Sequence, residues 1–427
     1  MEEYNEAYFR AGAWSCAEEN GKIWMALKNR NGICEIDKKT LCGKIIKNFE
    51  SESLADIDLY SHIEKVRNTL IFTPGMAEKI AVYNLDLQSL SYISLKILDR
   101  CYKENPFDIK FWNTLQYQSD IYMFGYSYPA IIKIDTNSLD VVYITDWVEE
   151  IEANIQVGNN DGYFTTGHVI YDNYALIPVG CMNAILELDF ITGRTQIKRL
   201  NIPIKGLSGL SSEDGENIWI VGRSGNAVKS DKYLWMVERD NSPNRVFCWN
   251  RKSGAIKDFP LTDVDENKYN PFHAPLCINS KVFLIPMEAS YIYEIDTYTG
   301  ELKKNNILGK ILDDSKGQLD PWRTVVASEL RGEWLSFLTC KDYKWHEYNV
   351  NTGELRSNFY YVKENSKDTV QYFESIYAKD DLLTESKLPF SYFIDKILRT
   401  DNALKNDNHS NLVGEKIFNQ ISGILLH

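Results

Sequence analysis

Several apolar segments of the chain begin with an aromatic residue followed by a polar or basic one, and these pairs are the residues best suited to bind a ligand. The clearest are Tyr60-Ser61, Trp112-Asn113, Phe164-Thr165, Phe272-His273 and Trp322-Arg323. Two further segments offer Phe9-Arg10 or Ala13-Trp14, and Trp219 or Arg223, with the register open. A guanidinium binds carboxylate or phosphate at two points, and aromatic rings stack on sugars or apolar groups. We predict a ligand site formed by Arg10, Ser61, Trp112, Asn113, Thr165, Arg223, His273, Trp322 and Arg323.

Pro271 and Pro321 indicate where two of these segments begin, because proline fixes φ, lacks an N–H and suits the entry to a strand. His273 and Arg323 each follow a proline and an aromatic residue. We therefore expect both side chains to emerge at one mouth and to bind an anion there. The alternative is that the aromatic residues wedge between repeats while the polar residues line a wet channel. His273 could act as a base, but no carboxylate partner is identified for it, so we assign no catalytic residue.

Other chemistry lacks support in the sequence. P-loop, dinucleotide-binding, HExxH, GxSxG and EF-hand patterns are absent, and the eight cysteines are scattered without a CxxC. We therefore predict no metal and no cofactor, and cysteines that are reduced and mostly buried. A net charge of −13 argues against nucleic acid and anionic membranes as partners. Without a run of about 20 apolar residues or a signal-peptide pattern, we expect no membrane insertion and a cytoplasmic location.

One turn motif recurs seven times at intervals of roughly 50 residues, which is the length of a four-stranded repeat. An apolar strand ends in Asp or Asn, and Thr or Ser follows three residues later, as expected of a hairpin that the acidic or amide side chain caps. The seven anchors are Asp37, Asp86, Asp135, Asp189, Asn250, Asp296 and Asn349. A second series of turns precedes the second strand of each repeat, including Asn20-Gly21, Asp172-Asn173 and, in the fifth repeat, Asp231-Lys232.

A single four-stranded unit cannot bury both faces of its sheet, so seven units must stack around an axis. We therefore predict an all-β fold, a seven-bladed β-propeller of four-stranded antiparallel blades, over residues 1–377. In the fifth repeat we expect 234–237 to form the second strand and the glycine-rich stretch 206–212 to be a flexible surface linker. Helical spacing of apolar residues after the last repeat predicts a short α-helical tail, 378–427, packed on the propeller.

The repeats at about 10–361 resemble the blades of bacterial β-propeller repeat proteins, a broad group that includes kelch-like, YVTN-like and streptogramin-lyase-like propellers. The kelch double glycine and the WD40 Gly-His and Trp-Asp pairs are absent. Streptogramin lyases have a closely spaced histidine-based centre, whereas His62, His168, His273 and His346 lie in four different repeats. The resemblance therefore implies the fold and transfers no catalytic residue.

The leading functional hypothesis is a binding or scaffold propeller, and we favour it over an enzyme. It would recognise a small anionic or carbohydrate-like molecule, or a peptide, in an axial funnel. One alternative is a lyase or hydrolase that acts on a carbohydrate-like or cyclic-peptide substrate in the same funnel. A third hypothesis is a platform for protein–protein interaction.

Overall fold

Seven antiparallel blades of four strands form a closed ring, with two further strands added to the sheet of blade 1, and the predicted seven-bladed β-propeller is confirmed. The computed structural model describes residues 7–52, 56–98, 109–155, 161–223, 225–229, 235–239, 245–261, 271–289, 291–309, 325–340 and 342–364. In each blade the first strand is one edge of the sheet and the fourth strand follows at the other side. The first strands line the axis, as blades in a propeller are arranged radially.

The first three blades follow an outer strand, β1 (Ala7–Arg10). Blade 1 contains β2 (Cys16–Glu19), β3 (Lys22–Ala26), β4 (Ile33–Asp37) and β5 (Cys42–Lys47). Blade 2 contains β6 (Tyr60–Val66), β7 (Thr69–Pro74), β8 (Lys79–Asn84) and β9 (Ser89–Ser94). Blade 3 contains β10 (Phe111–Tyr117), β11 (Asp120–Gly125), β12 (Ile131–Asp135) and β13 (Val141–Ile144), and the short helix α1 (Val148–Glu152) follows it.

Blades 4 and 5 differ in their connections. Blade 4 contains β14 (Val169–Tyr171), β15 (Tyr174–Pro178), β16 (Ala184–Asp189) and β17 (Thr195–Arg199). Blade 5 begins with β18 (Gly206–Ser211) and β19 (Asn217–Arg223), continues through a separate hairpin of β20 (Gly225–Lys229) and β21 (Trp235–Arg239), and ends with β22 (Arg245–Asn250) and β23 (Ile256–Pro260).

The last two blades lead to the strand that closes the ring. Blade 6 contains β24 (Leu276–Ile278), β25 (Lys281–Leu284), β26 (Tyr293–Asp296) and β27 (Leu302–Lys304). Blade 7 contains β28 (Val325–Arg331), β29 (Trp334–Thr339), β30 (Trp345–Asn349) and β31 (Leu355–Asn358), and β32 (Tyr361–Glu364) follows it.

The ring closes through blade 1, which receives a strand from the far end of the propeller. β32 pairs in parallel with β5 and antiparallel with β1, so the sheet of blade 1 has six strands. Phe9 of β1 and Val362 of β32 are fully buried between blades 7 and 1. Backbone pairing and apolar burial therefore join the two ends of the repeat array.

Apolar clusters fill the spaces between neighbouring blades. Among the described residues there are seven such clusters, one at each interface between two blades. At the interface of blades 3 and 4, Trp147 packs edge-on against Tyr163 and Phe164 with centroid separations of 5.0 and 4.6 Å. Burying side chains of this size contributes about 2–3 kcal/mol each, so these interfaces hold the ring together.

The turn motif has the predicted chemistry, with one correction to its register. Asp37 Oδ1 accepts hydrogen bonds from the backbone N–H groups of Lys39 and Thr40, both at 2.9 Å. The same capping role belongs to Asp135, Asp189, Asn250, Asp296 and Asn349. In blade 2, Asp86 lies in the predicted turn between β8 and β9, but it is not the capping residue. The cap is Asn84, whose Oδ1 accepts the N–H groups two and three residues later, so the register of this anchor was wrong by two residues.

The sequence-based assignment of blade 5 was wrong in two respects. The stretch predicted as a flexible linker is β18, the innermost strand, and five of its six residues are buried. The second strand is β19, whereas the apolar stretch predicted for that position lies in β21 of the inserted hairpin. Glycine is required in β18, because a Cβ at Gly209 would lie 2.5 Å from Cα of Ala274 in the segment that enters blade 6.

The remaining predictions concern cysteines and the termini of the chain. All seven described cysteines are free, and six of them are buried, with only Cys42 exposed. The predicted helical tail, 378–427, and the predicted domain boundary at 377 lie outside the described residues. In the part of the chain that the structure describes, no helix is both long enough and apolar enough to span a membrane.

Candidate ligand-binding site on the propeller axis

The innermost strands begin on one face of the propeller, here called the entry face, and end at turns on the opposite face, the turn face. Of the two registers left open for blade 1, Ala13-Trp14 is the pair that lies just before its innermost strand, β2. Most polar residues predicted for the site lie where innermost strands begin on the entry face.

Asn113 and Thr165 join consecutive blades near the axis. The Nδ2 of Asn113 in blade 3 donates to the carbonyls of Thr165 and Gly167 at 2.9 and 2.7 Å. The hydroxyl of Thr165 in turn donates to the carbonyl of Leu207 in blade 5 at 2.8 Å. Both side chains are buried. These bonds satisfy buried backbone carbonyls that would otherwise carry a desolvation cost, so the two residues stabilise the ring.

His273 and Ser61 are also engaged by backbone. Nε2 of His273 lies 2.9 Å from the carbonyl of Val325 in blade 7, so this nitrogen carries the proton and donates. The hydroxyl of Ser61 lies 3.5 Å from the carbonyl of Thr73 within blade 2. Both residues are buried. Contact with backbone carbonyls was not among the roles predicted for these two residues, and their binding of a ligand stays a prediction.

Arg10 and Arg223 do not lie on innermost strands, and the expectation that they line the axis was wrong. Arg10 belongs to β1, the outermost strand of its sheet, and its guanidinium lies 4.3 Å from the ring centroid of Phe359. Arg223 ends the second strand of blade 5, where it is 5% exposed and bonds Asp161 at 2.9 Å. Trp322 and Arg323, on which the anion prediction also depended, lie outside the described residues.

Trp112 and Trp14 form an aromatic pair on the entry face. Their ring centroids are 5.1 Å apart with an interplanar angle of 60°, and both side chains are partly exposed. Trp112 also approaches Tyr126 at 6.0 Å. The indole N–H of Trp14 donates to Asp58 at 2.7 Å, which fixes its ring. The two indoles therefore offer partly exposed apolar faces beside the start of the third innermost strand.

Three residues from consecutive blades border the axis below this pair. His62 belongs to blade 2, Asn113 to blade 3, and His168 precedes the innermost strand of blade 4. Nδ1 of His168 lies 3.4 Å from Oδ1 of Asn113. Nδ1 of His62 is buried and has no hydrogen-bond partner among the residues that the structure describes. A buried polar atom of this kind costs about 1–3 kcal/mol, so His62 presents an unsatisfied polar group near the axis.

Carboxylates from blades 1, 2 and 7 lie nearer the turn face. Nη2 of Arg331 contacts Oε1 of Glu329 at 2.6 Å, and Nη1 contacts Oε2 of Glu18 at 2.6 Å. The same guanidinium lies 2.9 Å from Sγ of Cys16. Glu64, two residues after His62 and on the same face of β6, interacts electrostatically with Glu329 across blade 1. The cluster thus has three carboxylates and one guanidinium.

Burial changes the charge state of these groups. It raises the pKa of Glu64 to about 7, with a contribution from the negative charge of Glu329. Burial lowers the pKa of His62 to about 4, with an added contribution from His168, and it lowers that of His168 to about 4. It also raises the pKa of Cys16 to about 12, which keeps the thiol protonated. At neutral pH the two imidazoles are uncharged and Glu64 is poised between its two forms.

Sequence reasoning missed His62, Glu64, Glu329 and Arg331. A signal was present, because each pair is spaced two residues apart on an innermost strand, which places both members on one face. The aromatic-plus-polar pattern points only to the residue after each aromatic, so it does not include these pairs. Within the described ranges, no group of three His, Cys, Asp or Glu side chains could hold a metal ion.

No protein-family model matches this chain, and neither does any curated protein. Solved structures match it by fold. A chain of the mitotic checkpoint complex superimposes with a TM-score of 0.51 and 9% identity, covering 79% of this chain and 89% of that one. The extracellular domain of a hybrid two component system from B. thetaiotaomicron gives a TM-score of 0.47 and 11% identity, covering 78% of this chain and 39% of the other. At these identities the first match shows the propeller fold alone.

Proposed function

We propose that this protein is a binding propeller that recognises a carbohydrate-like ligand at the entry face of its axis. The observation that carries the proposal is the Trp14–Trp112 pair, whose partly exposed rings stand beside the polar axial residues. Sugars present C–H groups to aromatic faces and hydroxyls to polar neighbours, so such a pair suits a polyhydroxylated ring. A pocket that combines aromatic faces with a few converging polar groups is the usual form of a ligand site.

Charge favours a neutral polyol over an anion at this position. His62 and His168 are neutral at pH 7, and the guanidinium of Arg331 is already engaged by Glu18 and Glu329. Carboxylate oxygens accept hydrogen bonds from hydroxyl groups and repel an anion. The predicted anionic ligand depends on Arg323, and a peptide ligand would need contacts beyond these residues.

Calorimetry tests the proposal on the purified full chain, with neutral oligosaccharides, uronic-acid oligosaccharides and short peptides as titrants. Trp112→Ala should weaken binding of a neutral oligosaccharide by about 1–2 kcal/mol, roughly 5- to 30-fold, through lost stacking and apolar burial. Tyr298→Ala is the matched control, because Tyr298 is an 86% exposed aromatic residue at a turn of blade 6. Equal affinity of wild type and Trp112→Ala, or binding of peptides only, would contradict the proposal.

A lyase or hydrolase acting deeper along the same axis is the second candidate, and Glu64, which lies nearer the turn face, is the residue that favours it. A carboxyl group with a pKa of about 7 that is influenced by the charge of a second carboxyl, that of Glu329, resembles the acid of an acid–base pair. Product analysis of oligosaccharides incubated with the wild type and with Glu64→Gln separates the candidates. Cleavage that is lost in the variant supports the enzyme, and intact oligosaccharide supports binding alone.

The resemblance to bacterial kelch-like, YVTN-like and streptogramin-lyase-like propellers supports this proposal only at the level of a binding scaffold. We propose a cytoplasmic location from the free, mostly buried cysteines. We propose no cofactor and no nucleic-acid partner. A role as a protein–protein platform predicts instead that a protein partner binds and that oligosaccharides do not.

A further inference from the structure

A cavity lies on the entry face between blades 4 and 5, away from the axial residues. Its volume is about 390 Å³, which lies within the range of small-molecule sites. Its walls come from three connections: the end of α1, the turn between β15 and β16, and the segment that joins β17 to β18. The lining residues are Asn154, Cys181, Met182, Asn183, Arg199, Pro203, Ile204 and Lys205.

Hydrogen bonds fix the segment that bears the two basic residues of this cavity. Nδ2 of Asn183 donates to the carbonyls of Leu200 and Ile202 at 3.0 and 3.2 Å. The N–H of Leu200 donates back to the carbonyl of Asn183 at 2.9 Å. Arg199 immediately precedes this anchored stretch and Lys205 closely follows it. The cavity is therefore held open by its own backbone, and its basic residues are placed before any ligand arrives.

Arg199 and Lys205 differ from the other basic residues nearby in their lack of a counter-charge. Lys198 contacts Glu187 at 2.5 Å, and Arg223 contacts Asp161. Within the described part of the chain, neither Arg199 nor Lys205 has an ion pair or a side-chain hydrogen bond. Two cations that line one cavity repel each other, and they do so here in a protein of net charge −13. An anionic ligand would relieve that repulsion.

We propose that this cavity binds the phosphate group of a small phosphate monoester. A phosphate monoester carries about −1.5 to −2 charges at pH 7, which matches one guanidinium and one ammonium. The guanidinium can engage two phosphate oxygens at once, while the ammonium acts as a point charge. The organic part of the ester packs against Met182, Pro203 and Ile204.

Calorimetric titration of the full chain with phenyl phosphate, glucose 6-phosphate and a nucleoside 5′-monophosphate tests this site, with phenol and benzoate as probes lacking the phosphate. At least one ester should bind, phenol should not, and Arg199→Ala and Lys205→Ala should each weaken binding about tenfold or more. Arg199→Lys should lose less, because it keeps the charge and loses only the two-point geometry.

Arg194→Ala is the matched control. It removes the same charge as Arg199→Ala, but Arg194 lies at the opposite end of β17, on the turn face. It should change affinity less than about twofold. Trp112→Ala should leave phosphate binding unchanged, so failure of the axial site and failure of this one are distinguishable. The proposal is overturned if no ester binds up to about 10 mM, if benzoate binds as well as the esters, or if Arg194→Ala costs as much as Arg199→Ala.

Discussion

Replacing Glu64 with Gln should make the protein less sensitive to rising pH. Burial beside the axis and the negative charge of Glu329 raise the pKa of Glu64 from an ordinary value of 4.5 to about 7. A carboxyl whose pKa is higher in the folded state binds its proton more tightly there than in the unfolded chain. Its contribution to stability is therefore fully present below pH 4.5 and is lost as the pH rises through 7. Glutamine stays neutral throughout and has no such loss.

The size of the effect follows from the pKa change. The full change corresponds to an upper bound of about 3 kcal/mol in the free energy of unfolding. Because Glu64 is only partly buried and borders the channel, water reduces that value, and we expect about 1–2 kcal/mol. His62 and His168 titrate in the opposite direction. Their lowered pKa values contribute stability above pH 6.5 that is lost as the pH falls through 4, equally in both proteins.

Urea denaturation of wild type and Glu64→Gln at pH 5 and pH 8 measures the difference. The stability of the variant relative to wild type should increase by about 1–2 kcal/mol between these two values. Glu301→Gln is the control, because Glu301 is exposed in a turn of blade 6, and its relative stability should not change with pH. If the Glu64 variant loses relative stability at pH 8, the carboxylate is stabilised by solvent or a cation and the argument from burial is wrong.

Three further predictions concern the ring itself. Asn84→Ala should lower the free energy of unfolding by about 1 kcal/mol and Asp86→Ala by less, because Asn84 caps two backbone N–H groups. Equal losses of stability in chemical denaturation would contradict the assignment of the cap to Asn84. Arg223→Met should cost about 3–5 kcal/mol, since it removes the buried guanidinium that contacts Asp161, and an unchanged melting temperature would contradict this. Val362→Asp should open the ring at blade 1, because the site is fully buried. Limited proteolysis should then cleave the chain at β32, and unchanged resistance to the protease would refute the role of β32 in closing the ring.

Local turn chemistry explains why the number of blades could be predicted from the sequence. An Asx cap involves only residues two and three positions away, so Asp37 and its counterparts are recognisable without knowledge of the fold. Blade 5 could not be assigned in this way. Gly206 and Gly209 are typical of linkers, yet glycine is needed in β18 because Ala274 approaches from the next connection. The apolar strand of the inserted hairpin has the same pattern as a blade strand.

The axial site was only partly predictable for a related reason. Trp112 and Asn113 were identified from their position, but the partners that decide their roles come from other blades. Asn113 bonds Thr165 about one repeat away, and Trp112 contacts Trp14 from blade 1. Such distances in sequence leave no local pattern. Charge gave no guide either, since Arg10 and Arg223 look like free cations until their contacts are known.

The pairing of β32 between β1 and β5 has a consequence for the order of events during synthesis. β1 is the first described strand to leave the ribosome, and β32, with which it pairs, is the last of the described strands. β5 likewise remains the unpaired edge strand of blade 1 while six further blades are synthesised. Until residue 364 emerges, the nascent chain carries an unpaired strand and an exposed sheet edge, both able to pair with another chain. Ribosome-bound intermediates of this propeller should therefore depend on chaperone protection up to the last few residues of the array.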